Sequence, residues 1–404
     1  ITTDAPVYIG YLYRMSGHNG TNETLYRTRQ IHQEFIGDTA YRYTYDAVGN
    51  ITKIEVGERK TKGSSESVAV NYTLLAEYQY DDDYQLYREN NKQLNKTIIY
   101  NYSHGNRTTR REYAFSQESF PTTSPLKTTT YTYGDDVWGD LLTGISEGSG
   151  SQSITYDQIG NPTAYKGYTM TWTGRELTGL SGNGLYASFK YDADGLRTEK
   201  AAGGVTSNYY YVGGKLYYEK RGAKELYYFY DSIGNLAMIR YYTGSGEENY
   251  NYYVATNSRG DVEAIYRGNG TVKARYIYDT WGKVVSVVNE NGQEITSQND
   301  IGLINPIRYR GYYYDQETGL YYLQSRYYDP DTGRFLNGDG YANTGVGVLG
   351  TNMFMYCGNN PVNMTDSTGM CPYNGTVADF HRAEHGLPSL DCTCNKPSPF
   401  KNKD

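Results

Sequence analysis

Two groups of residues in this 404-residue chain are of types that could do chemistry. Near its end, His381 and His385 stand four apart and Cys392 and Cys394 two apart, with Cys371 and Cys357 upstream. A His-x-x-x-His spacing puts both imidazoles on one face of a helix, where they could ligate zinc with the thiolates. Gly386 and Pro388 would end such a helix almost at once, and Cys-x-Cys is tight for a tetrahedral ion, so no metal and no cofactor is assigned. No cysteine precedes Cys357, so disulfides do not hold the long region before it. The four cysteines permit three pairings, and free thiols are equally open.

The second group is a set of aspartates in one recurring phrase. It reads Tyr45-Asp46…Gly49-Asn50, Tyr156-Asp157…Gly160-Asn161, Tyr191-Asp192…Gly195, Tyr230-Asp231…Gly234-Asn235 and Tyr278-Asp279…Gly282. A carboxylate two residues ahead of a tight reversal accepts the backbone amides of that turn, and glycine supplies the positive φ the reversal needs. These five aspartates therefore read as turn caps rather than as acids or bases. A phrase copied in this way marks one supersecondary unit repeated along the chain.

The elements that carry the phrase follow from tyrosine, of which there are 49 against 9 phenylalanines. Tyrosines fall at alternate positions, as in Tyr41/Tyr43/Tyr45, Tyr78/Tyr80, Tyr100/Tyr102, Tyr131/Tyr133 and Tyr276/Tyr278, and side chains two apart share one face of a strand. Polar residues such as Arg42, Thr44, Gln79, Asn101 and Thr132 occupy the other face. A strand, a short turn and a returning strand make a β-hairpin, for example Tyr41 to Tyr45 followed by Ile51 to Val56. One hairpin buries too little to stand alone, so the units must stack edge to edge into a long sheet. This reading expects a tyrosine-lined face and a wet face, with no need of a second sheet. A helical repeat fails for want of sustained 3.6-residue periodicity, with 46 glycines scattered throughout.

A formal charge of −7 with both signs interspersed gives no footprint for nucleic acid or an anionic membrane. No stretch approaches the roughly 20 apolar residues needed to span a bilayer. The start, Ile1-Thr2-Thr3-Asp4, lacks a basic-then-apolar signal pattern and reads as a cut inside a longer protein. Sequons such as Asn22-Glu23-Thr24, Asn71-Tyr72-Thr73 and Asn95-Lys96-Thr97 arise by chance in a chain this rich in Asn and Thr.

Between Asn305 and Met370 the phrases become more specific. They run Asn305-Pro306-Ile307-Arg308-Tyr309-Arg310-Gly311, Tyr314-Asp315…Gly319-Leu320-Tyr321-Tyr322, Arg326-Tyr327-Tyr328-Asp329-Pro330…Gly333-Arg334-Phe335-Leu336 and Asn359-Asn360-Pro361-Val362-Asn363. With the Tyr-Asp phrases before it, this run resembles the YD-repeat, or Rhs, family. That family includes bacterial polymorphic toxins, the C component of insecticidal toxin complexes, wall-associated proteins of Gram-positive bacteria and the animal teneurins. The resemblance implies an all-β fold: a long spiralling antiparallel sheet forming a hollow shell or part of one, closed by a core-associated segment. It divides the chain into a repeat shell over 1–300, a core-associated domain over 301–370 and a variable tail over 371–404.

The resemblance also implies a site. Toxin members cut their own chain after an Asp-Pro-x-Gly-Leu motif, matched here by Asp366-Ser367-Thr368-Gly369-Met370, which puts the cut between Met370 and Cys371. The second carboxylate of the family matches Asp339, and Arg334 is the nearby arginine. Two carboxylates held close repel, so that one stays protonated while the other activates water. Asp339 and Asp366 are 27 residues apart, so only folding could pair them. Ser367 frees a φ that proline would fix, whereas Met370 keeps the apolar volume of leucine. The function implied is a secreted or cell-surface shell that encloses and delivers its own C-terminal effector polypeptide, with other toxin or secretion components in trans. The alternative is an adhesion or carbohydrate-binding scaffold that stacks surface glycans on its tyrosines, without cargo or cleavage.

Overall fold

The computed structural model describes residues 9–16, 26–62, 66–134, 139–232, 234–244, 249–340 and 351–370. Among them, every strand pairs antiparallel with its neighbour in sequence. Eleven strands, from β1 (Ile9–Ser16) to β11 (Gly150–Ser153), form one sheet, and fourteen, from β12 (Thr155–Tyr156) to β25 (Val284–Val288), form another. A third sheet has four short strands: β26 (Tyr313–Asp315), β27 (Leu320–Tyr322), β28 (Tyr327–Asp329) and β29 (Arg334–Phe335).

The turn phrase generates this order. Asp46 Oδ1 accepts the amides of Val48 and Asn50 at 3.1 and 2.8 Å, and Oδ2 accepts Asn50 Nδ2 at 3.0 Å. Asp157, Asp192 and Asp279 take the equivalent amides of their own turns. The tyrosine before the aspartate has a different task. In each hairpin the register shifts by a residue at that point, as between Thr44 and Tyr45, Lys190 and Tyr191, and Phe229 and Tyr230. A bulge re-aims the side chain it carries. The hydroxyls of Tyr45, Tyr191 and Tyr230 thereby donate to the backbone carbonyls of Ile31, Leu177 and Leu216 on the preceding strand at 2.8, 2.9 and 2.7 Å.

The expectation of sheets with no packing partner is corrected by the layers. The inner faces carry aliphatic residues beside the tyrosines, among them Ile54, Leu86, Ile98, Leu177, Leu226 and Ile239, and both large sheets pack on the segment after Ile301. The third sheet lies between them, and its alternation sorts its side chains. Tyr313, Leu320, Tyr322 and Tyr327 pack in the core of the second sheet, whereas Tyr321, Tyr328 and Phe335 pack in that of the first. A strand buried on both faces reads as continuous apolar or aromatic residues, as these do.

Buried charges pin the layers together. Arg197 holds Asp315 of the third sheet bidentately at 2.7 and 3.0 Å, and Lys200 reaches the same carboxylate at 2.7 Å. Burial works against the Asp315 charge, yet Arg197 and Lys200 outweigh it and hold the carboxyl below its usual range. Across the seam of the two large sheets, Glu34 accepts the Ser258 amide at 2.6 Å, and Glu89 accepts the Thr280 hydroxyl. Burial pushes both glutamates up to about 7. A cavity of about 420 Å³ lies at this seam, lined among others by Tyr43, Tyr78, Arg259, Glu263 and Arg310.

Candidate functional site

The site grows from a tight turn between β27 and β28. The Leu323 amide donates to Arg326 O at 2.9 Å, and Gln324 adopts a positive φ of 61°. This turn directs Ser325 and Arg326 toward the segment 366–370. Arg326 is buried, its guanidinium carbon 3.5 Å from the centre of the Phe335 ring.

One nitrogen of Arg326, Nη2, lies 3.1 Å from Asp339 Oδ2 and 3.3 Å from Asp366 Oδ2. Two aspartates 27 residues apart in sequence are therefore brought to a single guanidinium nitrogen. Arg326 Nη1 donates to Met353 O at 3.0 Å, the carbonyl that also takes the Asp339 amide at 2.9 Å. Arg326 Nε donates to the Gly369 carbonyl. Burial pulls the guanidinium below its usual value, opposed by Asp339 and Asp366. The shared guanidinium holds the two carboxyls side by side.

Asp366 is fully buried, and its Oδ1 accepts the Met370 amide at 3.1 Å. Its own amide donates to the Tyr312 hydroxyl at 2.8 Å, which also meets Tyr356 Oη at 3.0 Å and Thr365 Oγ1 at 2.9 Å. Gly369 sits at φ +70°, where a Cβ would lie 2.7 Å from Leu323 O and 2.9 Å from Ser325 Oγ. The Cys357 thiol nearby is pushed well up by burial and then by the Asp366 charge, so it stays protonated.

The expected residues divide accordingly. Asp339, Asp366, Gly369 and Met370 meet in one place. Arg334 turns instead toward the first sheet, donating to Asn106 Oδ1 and Asp140 O at 2.6 Å each and lying over the rings of Tyr133 and Phe354. Arg326 occupies the place expected for it. Its sequence signal is an arginine amid tyrosines destined for the interior, since a charge there must find a charged or polar partner. Cys371, His381, His385, Cys392 and Cys394 lie outside the described residues.

The fold is an all-β one whose strands turn on aspartate caps, and sequence comparison with known proteins agrees. Residues 218–362 match the teneurin YD-shell family. The tRNA3(Ser)-specific nuclease WapA of Bacillus spizizenii is 36% identical over 224 residues, which is 54% of this chain and 9% of that protein. Toxin protein Tse5 of Pseudomonas aeruginosa is 43% identical over 65 residues, 16% of this chain and 5% of Tse5. Teneurin-4 of Homo sapiens is 26% identical over 179 residues, 42% of this chain and 6% of the teneurin. The crystal structure of the TcdB2-TccC3-Cdc42 complex aligns over 84% of this chain and 21% of that one, with a TM-score of 0.44 and 16% identity. The chain is thus similar to YD-repeat (Rhs) shell proteins, and it spans under a tenth of the length of these three relatives.

Proposed function

We propose that this chain belongs to the shell of a secreted or cell-surface bacterial toxin of the Rhs type, which encloses a C-terminal effector and cuts its own backbone between Met370 and Cys371. The division at residues 300 and 370 belongs to the same reading, with the tail from Cys371 onward as the start of the effector. The observation that carries the proposal is the convergence of Asp339 and Asp366 on Arg326 Nη2, with the Met370 amide held by Asp366.

In this reaction one carboxylate takes a proton from water as its oxygen attacks the Met370 carbonyl carbon. The other, protonated, gives its proton to the Cys371 nitrogen as the C–N bond breaks, leaving a carboxyl at Met370 and an amine at Cys371. Arg326 keeps the two carboxyls together without taking part in proton transfer, because a guanidinium does not deprotonate in this range.

The glycan-stacking alternative has less support. On the outer surface Tyr210, Tyr218 and Tyr227 pack on one another, with ring centroids 5.2 and 4.6 Å apart and tilts of 32° and 30°. Faces spent on neighbouring rings are not free for sugars.

The test is mass spectrometry of the purified, folded chain under denaturing conditions. A fragment ending at Met370 is expected, with Asp339→Asn and Asp366→Asn each restoring the full-length mass. An uncut wild-type chain under all folding conditions would sink self-cleavage.

A further inference from the structure

Segment 366–370 is fixed by a short series of bonds, and hydroxyl side chains supply two of them. At its start the Asp366 amide rests on Tyr312 Oη at 2.8 Å. In its middle the Thr368 carbonyl accepts both the Ser325 hydroxyl at 2.7 Å and the Ser325 amide at 3.2 Å. The Gly369 carbonyl then goes to Arg326 Nε and the Met370 amide to Asp366 Oδ1. The next polar group along the chain is the Met370 carbonyl.

Ser367 has an exposed side chain and lacks the ring by which proline would fix φ, so it supplies little rigidity of its own. Apart from the Asp366–Met370 bond, orientation comes from outside the segment. Ser325 and Arg326 are adjacent in one turn, so the side chain that gathers the two aspartates and the one that holds the Thr368 carbonyl move together. That turn is itself anchored, because Gln324 Nε2 donates to Gly214 O at 2.8 Å on the second sheet.

We propose that Ser325, with Tyr312, is a positioning residue for backbone cleavage: the two hydroxyls clamp segment 366–370 so that the Met370 carbonyl faces the Asp339–Asp366 pair. The clamp rests on the self-cleavage reading for its purpose but not for its existence. Ser325 touches neither carboxylate in this role and acts through the backbone it holds. Misplacement of a reacting bond by a fraction of an ångström slows reaction without changing the protonation of the groups that carry it out.

The experiment compares Ser325→Ala, Ser325→Thr and Tyr312→Phe with the native chain, following fragment appearance after refolding over a range of pH. Ser325→Ala is expected to slow cleavage about five- to tenfold, the worth of one hydrogen bond. Ser325→Thr, which keeps the hydroxyl, is expected to recover most of the rate. In all three the pH profile keeps its midpoints and only its height falls, which a general loss of folding would not produce. Hydrogen exchange at the Asp366 and Met370 amides is measured alongside, with a rise of similar size expected in Ser325→Ala and Tyr312→Phe. Equal rates and equal exchange in Ser325→Ala and the native chain overturn the clamp. If the native chain does not cut itself, exchange still decides: faster exchange in the variants keeps the clamp and removes only its catalytic purpose, and unchanged exchange removes both.

Discussion

Two turns in this molecule have the same outline and opposite surroundings. Asp46-Ala47-Val48-Gly49-Asn50 joins two strands of the first sheet, and Asp366-Ser367-Thr368-Gly369-Met370 ends the described chain. In each, Oδ1 of the aspartate accepts the amide four residues on, at 2.8 and 3.1 Å, and glycine takes a positive φ of 94° and 70°. They part at the other oxygen. Asp46 Oδ2 stays within its turn, accepting Asn50 Nδ2, whereas Asp366 Oδ2 is buried against Arg326 and shares that nitrogen with Asp339. A turn that elsewhere only reverses the chain is set here beside a second carboxylate. The comparison breaks if the two aspartates behave alike. Asp366→Asn is expected to lower self-cleavage about a thousandfold, within the range for losing an acid or base. Asp46→Asn, which keeps an acceptor for the turn amides, leaves cleavage unchanged and costs at most about 1 kcal/mol of stability.

The same contrast separates ion pairs in the interior from those on the outer face. Asp315→Asn leaves Arg197 and Lys200 buried with half their partner, and breaking a buried pair costs about 3–5 kcal/mol. The exposed pair Lys190–Glu199, at 2.8 Å, is worth about 0–1 kcal/mol, so Glu199→Gln should barely move the urea midpoint. Asp315 also sets an acid limit. Its folded pKa lies below its unfolded value, so its contribution is present above about pH 4 and is lost as pH falls through the folded value. Equal midpoint shifts in the two variants would mean that the third sheet is not pinned by its charges.

Much of the shell was legible because its turn chemistry is local. Tyr-Asp-x-x-Gly states a cap and a reversal within five residues, though not the bulge at its tyrosine. Turns lacking the full phrase were not legible. At Asp81 the glycine position is held by Tyr84 at φ +61°, and at Asn257 and Asn289 an amide oxygen replaces the carboxylate, yet all three take the same backbone amides. The packing of both large sheets on residues 301–336 and 354–362 was hidden for another reason. Alternation reports which side chains share a face but not what covers that face. The two aspartates came from family resemblance, not spacing, and nothing local distinguishes Arg326 from Arg334 as their partner. Only the direction of the turn before β28 decides it.

A second comparison lies within the seam, between charges that are matched and carboxyls that are not. Glu89 is fully buried, faced by Tyr100 and Thr280 as hydrogen-bond donors, with Arg110 favouring and Asp279 opposing its charge. Burial dominates and raises it from 4.5 to about 7. The sign is opposite to that of Asp315: its contribution is complete below about pH 4.5 and is lost as pH rises through 7. Urea midpoints should therefore fall between pH 5 and 8, and Glu89→Gln should flatten part of that slope while leaving the acid limb intact. An unchanged slope in the variant would assign the loss to Glu34 or Glu263, which burial also raises to about 7.

The smallest expected effect tests whether the phrase tyrosines are more than packing. Tyr191 and Tyr186 lie on the same strand, β16 (Leu185–Tyr191), but face different worlds. The Tyr191 hydroxyl donates to Leu177 O at 2.9 Å and meets Tyr327 Oη of the third sheet at the same distance, while Tyr186 is 72% exposed. Removing the Tyr191 hydroxyl leaves the ring in place and a buried carbonyl short of a donor, which costs about 0.5–1.5 kcal/mol. Tyr191→Phe should lower the urea midpoint accordingly, and Tyr186→Phe should not. Because the Tyr191 hydroxyl joins a strand of the second sheet to β28, its loss should also speed amide exchange at Tyr327 and Tyr328 while sparing the Asp192 turn. Faster exchange confined to that turn would instead make the hydroxyl a local prop of its own hairpin, with no part in binding the layers.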